Sequence, residues 1–468
     1  MKDSRDLPLP RAIAGLAIPA ALAFLLHNAY HLNDTFFLGR FVGADATNAM
    51  GLFMMVSIAN FGFILTLARG TQSLVGRRLG AGNRDGVQRA LAQGLLLANV
   101  VLLPVAVLEW IFIPDILRAI GGEGATVTEA TAYVRALLLL MPGLFASPIV
   151  EFSFQGMGDT RTPFKLQCLA VVVNTVLNAL LIPAALPLGS WLGLGDWELP
   201  GADLGVVGAA VATGVSRLGS AALGLYVLWR REQFTLLLDR ASWRLDRRVA
   251  SEILRVGVPA GSSTFLFALV GFFLTSIIGG VDQDALGGYA IGFRGVESLS
   301  FMVVLGFGVG AGAVAAHAAG AGDFVRARAA GHVGALMCAG LMLISTLVYL
   351  LFAEPLVGLY TNDPAIIAVA ATYIGHMAWC QVPQAFEMVY GDAMAGAGSS
   401  TLAAVVSIPG NLLRVPLALW FSLHMDLGLR GVWYAIIVSS VLKGIGMTAL
   451  FLSGAWERGM HRGREALR

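Results

Sequence analysis

Charge is scarce in this chain: only 13% of its 468 residues are Asp, Glu, Lys or Arg, about half the share of an ordinary soluble domain. A water-facing shell over a single core is excluded. Cysteine is nearly absent as well. Cys168, Cys338 and Cys380 are odd in number, lie in apolar stretches and lack metal-type spacing, so they read as small core hydrophobes rather than bridges or ligands. Paired acids, an HExxH pattern and a nucleophile motif are all missing, which argues against an enzyme. The net charge of +2 says nothing about nucleic acid, because the charges are sorted by membrane side; no nucleic-acid partner is expected. What fills the chain is apolar: 57% hydrophobic residues and a mean hydropathy of +0.75. Such a composition predicts an all-α integral membrane protein.

Apolar segments fall near 12–38, 47–76, 87–113, 128–154, 164–187, 204–230, 253–280, 286–318, 328–353, 365–392, 401–424 and 429–456, about twelve spans. The first is too long for a signal-peptide core and is preceded by Asp3 and Asp6, so no cleaved leader is expected. Basic residues such as Arg77, Arg78, Arg84, Arg161, Lys165, Arg230, Arg231 and Arg326 gather in alternate connections, while the others carry Asp196, Glu198, Asp203, Asp282 and Asp284. The asymmetry predicts that both termini are cytoplasmic, in a cell (inner or plasma) membrane.

An internal repeat shows at a spacing of about 240 residues: Ile18-Pro19-Ala20 returns as Val258-Pro259-Ala260, Gly80-Ala81-Gly82-Asn83 as Gly320-Ala321-Gly322-Asp323, and Gly156-Met157-Gly158 as Gly396-Ala397-Gly398. Near the ends of the halves, Gly205 and Gly208 match Gly428 and Gly431 at a spacing of 223, which places an insertion near Trp191–Trp197. Six helices per half is an even number. The halves therefore share one orientation, as two six-helix lobes related by a pseudo-twofold axis along the membrane normal, with a cavity between them. The expected boundaries are an N-terminal lobe over 1–232, a cytoplasmic linker over 233–250 and a C-terminal lobe over 251–468. Trp243, Leu245, Val249, Ile253 and Leu254 alternate with arginines, a pattern that fits either an interfacial amphipathic helix or a solvated basic linker.

Polar groups enter the first span late. His27, His31 and Asp34 stand at i, i+4 and i+7, along one helix face. A carboxylate within a span usually faces a protein interior or a watery cavity. Three ligands on one straight helix suit zinc poorly; a histidine and a desolvated aspartate suit a proton relay better, and His27 and His31 also read simply as packing residues. Asn174 and Asn178 lie one turn apart in the fifth span. Together with Asn28, Tyr30 and Asn33 they offer neutral hydrogen bonds around Asp34. Arg294 and Glu297, at i and i+3, are expected to pair. Glu151 and Glu387 are expected near the cytoplasmic helix ends, the latter as a candidate inner gate. Arg69, Arg135, Arg217, Arg414 and Lys443 read as snorkelling residues near helix ends, and His376 as a satisfied buried histidine.

Three motifs carry a family resemblance. Leu32-Asn33-Asp34-Thr35-Phe36-Phe37-Leu38-Gly39-Arg40, Gln72-Ser73-Leu74-Val75-Gly76-Arg77-Arg78-Leu79-Gly80-Ala81-Gly82 and Gln155-Gly156-Met157-Gly158-Asp159-Thr160-Arg161-Thr162-Pro163 resemble patterns of the MATE (multidrug and toxic compound extrusion) family, of the MOP superfamily. The resemblance covers nearly the whole chain. It implies cation-coupled export of organic compounds. The sodium-coupled branch of that family carries acids in helices 7 and 10, where this chain has Phe267 and Gln384, and its seventh span holds no acid from Val256 to Ile278. The pattern is nearer the DNA-damage-inducible (DinF-like) branch, often proton-coupled.

The expected function is export of amphipathic or cationic organic compounds by antiport with protons, with sodium as the alternative ion and no other cofactor. The site would comprise Asp34, Asn28, Tyr30, Asn33, His31, Asn174 and Asn178, with Glu297, Arg294, Gln384 and Glu387 as secondary candidates and no metal. Small organic substrates and the lipid bilayer are the expected partners of a monomer. A flippase for lipid-linked precursors shares the architecture but would show more cationic residues for phosphates. A major facilitator is a weaker variant, because the loop after helix 2 lacks an acid before its arginines.

Overall fold

The computed structural model describes residues 7–187, 189–190, 193, 195–232 and 243–457; the side chains of Asn28, Ala29, His31, Met55, Ile58, Ala59 and Phe61 lie outside that description. The N-terminal lobe comprises α1 (Leu9–Phe41), α2 (Ala44–Gly80), α3 (Arg84–Ala119), α4 (Gly124–Leu139 and Met141–Gly156, bent by 65°), α5 (Arg161–Leu181) and α6 (Gly205–Glu232). The C-terminal lobe comprises α7 (Arg247–Val281), α8 (Ala285–Ala321), α9 (Phe324–Gly358), α10 (Pro364–Gly396), α11 (Ser400–His424) and α12 (Gly428–Leu452). Ten of these helices are apolar and long enough to cross a membrane on length and composition, eleven with the bent pair. The twelfth, α2, has 37 residues but carries Asn60, Arg69, Thr71, Gln72 and Ser73 along its course. Those groups are tolerated in a span because they face protein rather than lipid.

The lobes are held together by backbone approaching backbone. Gly80 of α2 lies against the carbonyl of His317 in α8, and Gly320 of α8 lies against the carbonyl of Arg77 in α2; a β-carbon at either glycine would collide with that oxygen. Gly70 and Gly257 close α2 onto α7 through the carbonyls of Ile253 and Thr66, while Gly310 and Gly306 close α8 onto α1 through those of Ile13 and Ala17. A shift of 240 residues with exchange of lobes turns each contact into its mate. That is the signature of a pseudo-twofold axis. Without side chains between them, helices gain dispersion contacts that lipid cannot supply. Within each lobe, Gly156 meets Gln72 and Gly396 meets Gly312 by the same device.

The second glycine of each Gly-x-Gly has another task. Gly82 and Gly322 adopt φ of 74° and 83°, a left-handed conformation that ends the helix and that a side chain would resist. The chain then restarts at once. Asn83 accepts from the Gly86 amide at 2.8 Å and Asp323 from the Arg326 amide at 2.9 Å, each capping the helix that follows.

The 223-residue spacing at the last helix of each half has a visible cause. Ala185–Leu186 pairs antiparallel with Leu199–Pro200, a small hairpin on the connection between α5 and α6 where the insertion was expected; Trp191, Leu192 and Leu194 within it lie outside the described residues. The connection between the lobes differs from expectation. Residues 233–242 lie outside the description, and α7 starts at Arg247, capped by Asp246, whose side chain accepts from Arg248 and Val249. The amphipathic residues from Val249 onward are thus the first turns of the spanning helix itself, and no separate interfacial helix is seen among the described residues. The start of α7 precedes the lobe boundary drawn at 251. Gln93 of α3 fixes its approach, donating to the Arg244 carbonyl at 2.8 Å and accepting from the Asp246 amide at 2.9 Å.

Candidate functional site

Between the lobes lies a cavity of about 550 Å³ lined from both sides. On the side of the Gly-x-Gly turns it is closed by the glycine contacts and by polar bonds across the lobes. Ser73 Oγ lies 2.8 Å and 3.0 Å from the carbonyls of Ala395 and Gly396, and His317 Nε2 donates to the Gly156 carbonyl at 2.7 Å. Arg69 Nη1 and Asp392 Oδ1 form an ion pair 2.5 Å long that joins α2 to α10.

Asp34 is placed on the wall of this cavity by the late polar run of α1 and is only 2% exposed. Its carboxylate is gripped by neutral donors from three other helices. Asn178 Nδ2 and Asn174 Nδ2 of α5 approach Oδ1 at 2.7 Å and 3.3 Å. Thr213 Oγ1 of α6 and the Tyr133 hydroxyl of α4 approach Oδ2 at 2.8 Å and 3.4 Å. Asn33 extends the network, donating to Asn174 Oδ1 at 2.8 Å. A buried carboxylate in a lobe would ordinarily be matched by a cation; here, among the described residues, no basic side chain bonds it. Among the described residues, Asn178 Oδ1 is buried without a hydrogen-bond partner.

Asp34, Asn33, Asn174 and Asn178 are thus brought together in one hydrogen-bonded group. Tyr133 and Thr213 were missed. Each looks like an ordinary core residue in its own helix; the recurrence of a tyrosine at 373, 240 residues after 133, was the available signal. Tyr30 belongs to a neighbouring group. The Arg217 guanidinium lies 4.3 Å from its ring, with Nη2 at 2.8 Å from His27 Nδ1 and Nη1 at 3.3 Å from Gln167 Oε1 and 3.8 Å from Glu151 Oε1. His27 meets Arg217, while the side chains of Asn28 and His31 lie outside the described residues.

The C-terminal lobe corrects several expectations. Arg294 is exposed whereas Glu297 is buried, and the two form no ion pair among the described residues. The segment Ile291–Glu297 is a π-helix, so the i, i+3 geometry is replaced by a widened turn that sends Glu297 inward, where it accepts from the Tyr373 hydroxyl. Lys443 does not snorkel. At 3% exposure it bonds Glu387 Oε2 at 2.9 Å and Asn411 Oδ1 at 2.8 Å. Arg414 is buried as well, donating to Ser439 and Ser440 at 2.8 Å each and lying 5.5 Å from the Phe267 ring. Arg69 and Arg217 are likewise committed to partners inside the protein. Only Arg135, against Trp110, behaves as a helix-end residue. His376 is only half-buried, its Nδ1 donating locally to the Thr372 carbonyl at 2.7 Å. Phe267 and Gln384 both line the cavity.

Comparisons with known proteins agree with this geometry. The MatE family model matches residues 19–180 and again 259–420, two stretches 240 residues apart. The chain is 27% identical over 452 residues to the probable multidrug resistance protein NorM of Thermotoga maritima, covering 95% of this chain and 92% of that protein. It is 25% identical to the FAD transporter of Shewanella oneidensis over 95% of each. Among solved structures it is similar to the outward-facing conformation of a multidrug resistance MATE family transporter of the MOP superfamily, with a TM-score of 0.84, 22% identity and coverage of 100% of this chain and 99% of that one. A duplicated six-helix lobe, a shared cavity and two matches to one family model lead to one assignment: this chain belongs to the MatE family of multi-pass membrane transporters.

Proposed function

We propose that this protein exports amphipathic, cationic organic compounds in exchange for protons, with Asp34 as the coupling carboxylate. The carrying observation is the Asp34 carboxylate, buried at the cavity wall and bonded by four neutral side chains from α4, α5 and α6. A proton arriving there turns an acceptor-only group into one that must also donate. At least one of the four donors has to turn away, and the partnerless Asn178 Oδ1 offers an acceptor for the new O–H after a small amide reorientation. Proton binding thereby changes how α1 is tied to α5 and α6. Ion and substrate must prefer different states of that lobe, since a ligand with equal affinity for both shifts nothing. One pH unit supplies about 1.4 kcal/mol per proton, and 100 mV about 2.3 kcal/mol per charge moved.

With the arginine-rich turns assigned to the cytoplasm, both termini are inside and the cavity is outward-facing. The relatives named for multidrug resistance favour organic compounds at large; the one named as an FAD transporter points to an anion instead. The charges favour the first. Of the arginines and lysines lining the cavity, Arg69, Arg217 and Lys443 each have an acid within 4 Å, whereas Asp34 has no basic partner among the described residues. Sodium is the competing ion, favoured by the oxygens of Asp34, Asn178 and Thr213 lying together. Inside-out vesicles driven separately by a pH gradient and a sodium gradient decide. Dye accumulation is expected with the pH gradient alone; accumulation driven only by sodium overturns the proton reading.

A further inference from the structure

The cavity holds a second carboxylate without a basic partner, on α3, and the coupling scheme makes no use of it. Glu109 is buried, lines the cavity, and accepts from Asn60 Nδ2 of α2 at 2.8 Å. Among the described residues it takes part in no ion pair. The other cavity carboxylates are each committed: Asp392 to Arg69, Glu387 to Lys443, and Asp34 to its four donors. An acid facing an apolar cavity with one neutral hydrogen bond is costly to keep.

The duplicated fold shows that packing does not demand that cost. Shifted by 240 residues, Asn60 and Glu109 become Ser300 and Tyr349, which bond each other at 2.9 Å in the C-terminal lobe, away from the cavity. The same tie between equivalent helices is made there by two neutral hydroxyls. The charge appears in the lobe where the pair faces the cavity. One turn pair further along α2, Phe53 stands at i−7 from Asn60, hence on the same helix face, with its ring 4.7 Å from that of Tyr133. Both rings line the cavity with Glu109.

We propose that Glu109 is the specificity-determining carboxylate for substrate, holding a monovalent organic cation whose apolar body lies against Phe53 and Tyr133. The inference rests on the exporter reading above and names its substrate class, but it assigns recognition to a residue other than the coupling acid. A cation supplies the charge Glu109 lacks, and the aromatic faces attract the same charge.

The test compares methyltriphenylphosphonium with the uncharged triphenylphosphine oxide, binding to the full chain in lipid nanodiscs. Glu109→Gln, which keeps the shape and the Asn60 bond, is expected to weaken the phosphonium by about tenfold or more and to leave the phosphine oxide within about twofold. The double change Asn60→Ser with Glu109→Tyr transplants the neutral pair of the other lobe and should give the same loss of preference. Glu109→Asp should restore part of it. Equal loss for both ligands, or no loss for the phosphonium, overturns the proposal, as does a wild type that binds no phosphonium. Phosphonium binding that depends on Glu109 without any export under a pH gradient would uphold the recognition role and sink the exporter reading alone.

Discussion

The two lobes share a scaffold and differ in their charges. Positions 240 residues apart keep the glycines of the lobe contacts, the Gly-x-Gly turns and the tyrosine pair Tyr133 and Tyr373. They do not keep the site. Asp34 corresponds to the buried Leu274, Asn174 to Arg414 and Asn178 to Ala418, while Ser147 corresponds to Glu387. At the 223-residue spacing of the last helices, Ser220 corresponds to Lys443. The N-terminal lobe thus presents a carboxylate among neutral donors, where a proton has something to change. At the cavity the C-terminal lobe presents carboxylates already matched by cations, Glu387 by Lys443 and Asp392 by Arg69, where binding a proton would leave the cation uncompensated; Glu297, bonded by Tyr373, lies off the cavity lining. Even the tyrosines are reused: Tyr133 bonds an acid from α1 and Tyr373 an acid from α8. Duplication conserved what closes the membrane-spanning bundle, while the polar groups at the cavity diverged; the proposed coupling role falls to one half only.

The largest expected effect comes from breaking the C-terminal pair. Lys443→Ala leaves Glu387 buried without its cation and should destabilise by about 3–5 kcal/mol, read as a large fall in the thermal midpoint of the detergent-solubilised protein. Lys443→Ser with Glu387→Ser, which installs the residues of the other lobe, should recover most of that loss. A single change as mild as the double one would mean that the pair is not the closed unit described here.

Next is the contact that both lobes share. Gly320→Val drives a side chain into the Arg77 carbonyl, and Gly80→Val drives one into that of His317. Each should cost about 1–3 kcal/mol or more, and by symmetry the two losses should be similar. Strongly unequal losses, measured by the same thermal assay, would break the pseudo-twofold account of the interface.

The smallest effect belongs to the asymmetric link. The mates of Arg69 and Asp392 are Val309 and Phe152, so this bridge exists once. Its side chains are 18% and 15% exposed at the edge of the cavity, so water that reaches the cavity can solvate either charge when the other is removed. Arg69→Ala should shift the lobes toward opening on the turn side, seen as faster labelling of a single cysteine placed at Ala395. Exchange of the two charges should slow labelling again. Unchanged labelling in Arg69→Ala would show that the glycine contacts alone hold that side shut.

Much of this was legible in the sequence, for a physical reason. Apolar length, arginine asymmetry and the 240-residue repeat each leave a trace in the sequence, so the spans and the lobes could be read directly, and Asp34 and the Asn174, Asn178 pair stood out as polar groups within apolar spans. Partners across helices leave none. Arg69 and Asp392 are 323 residues apart, and nothing local says which face of α2 meets α10. Arg217, Arg414 and Lys443 read as helix-end residues because position along a span does not reveal whether a side chain faces lipid or protein. The π-turn at Ile291–Glu297 was likewise hidden, since it changes the facing of Glu297 without changing its spacing.

The central claim is that coupling resides in the N-terminal lobe, and proton movement tests it most directly. Proteoliposomes loaded with a pH-sensitive dye should report proton flux out of step with buffer leak only when substrate is added to wild type. Asp34→Asn, which mimics the protonated acid permanently, is expected to insert, fold and bind substrate yet show no substrate-dependent proton flux and no gradient-driven export. Glu297→Gln should retain both. Substrate-dependent proton flux at the wild-type rate in Asp34→Asn, or its loss in Glu297→Gln alone, would contradict the account.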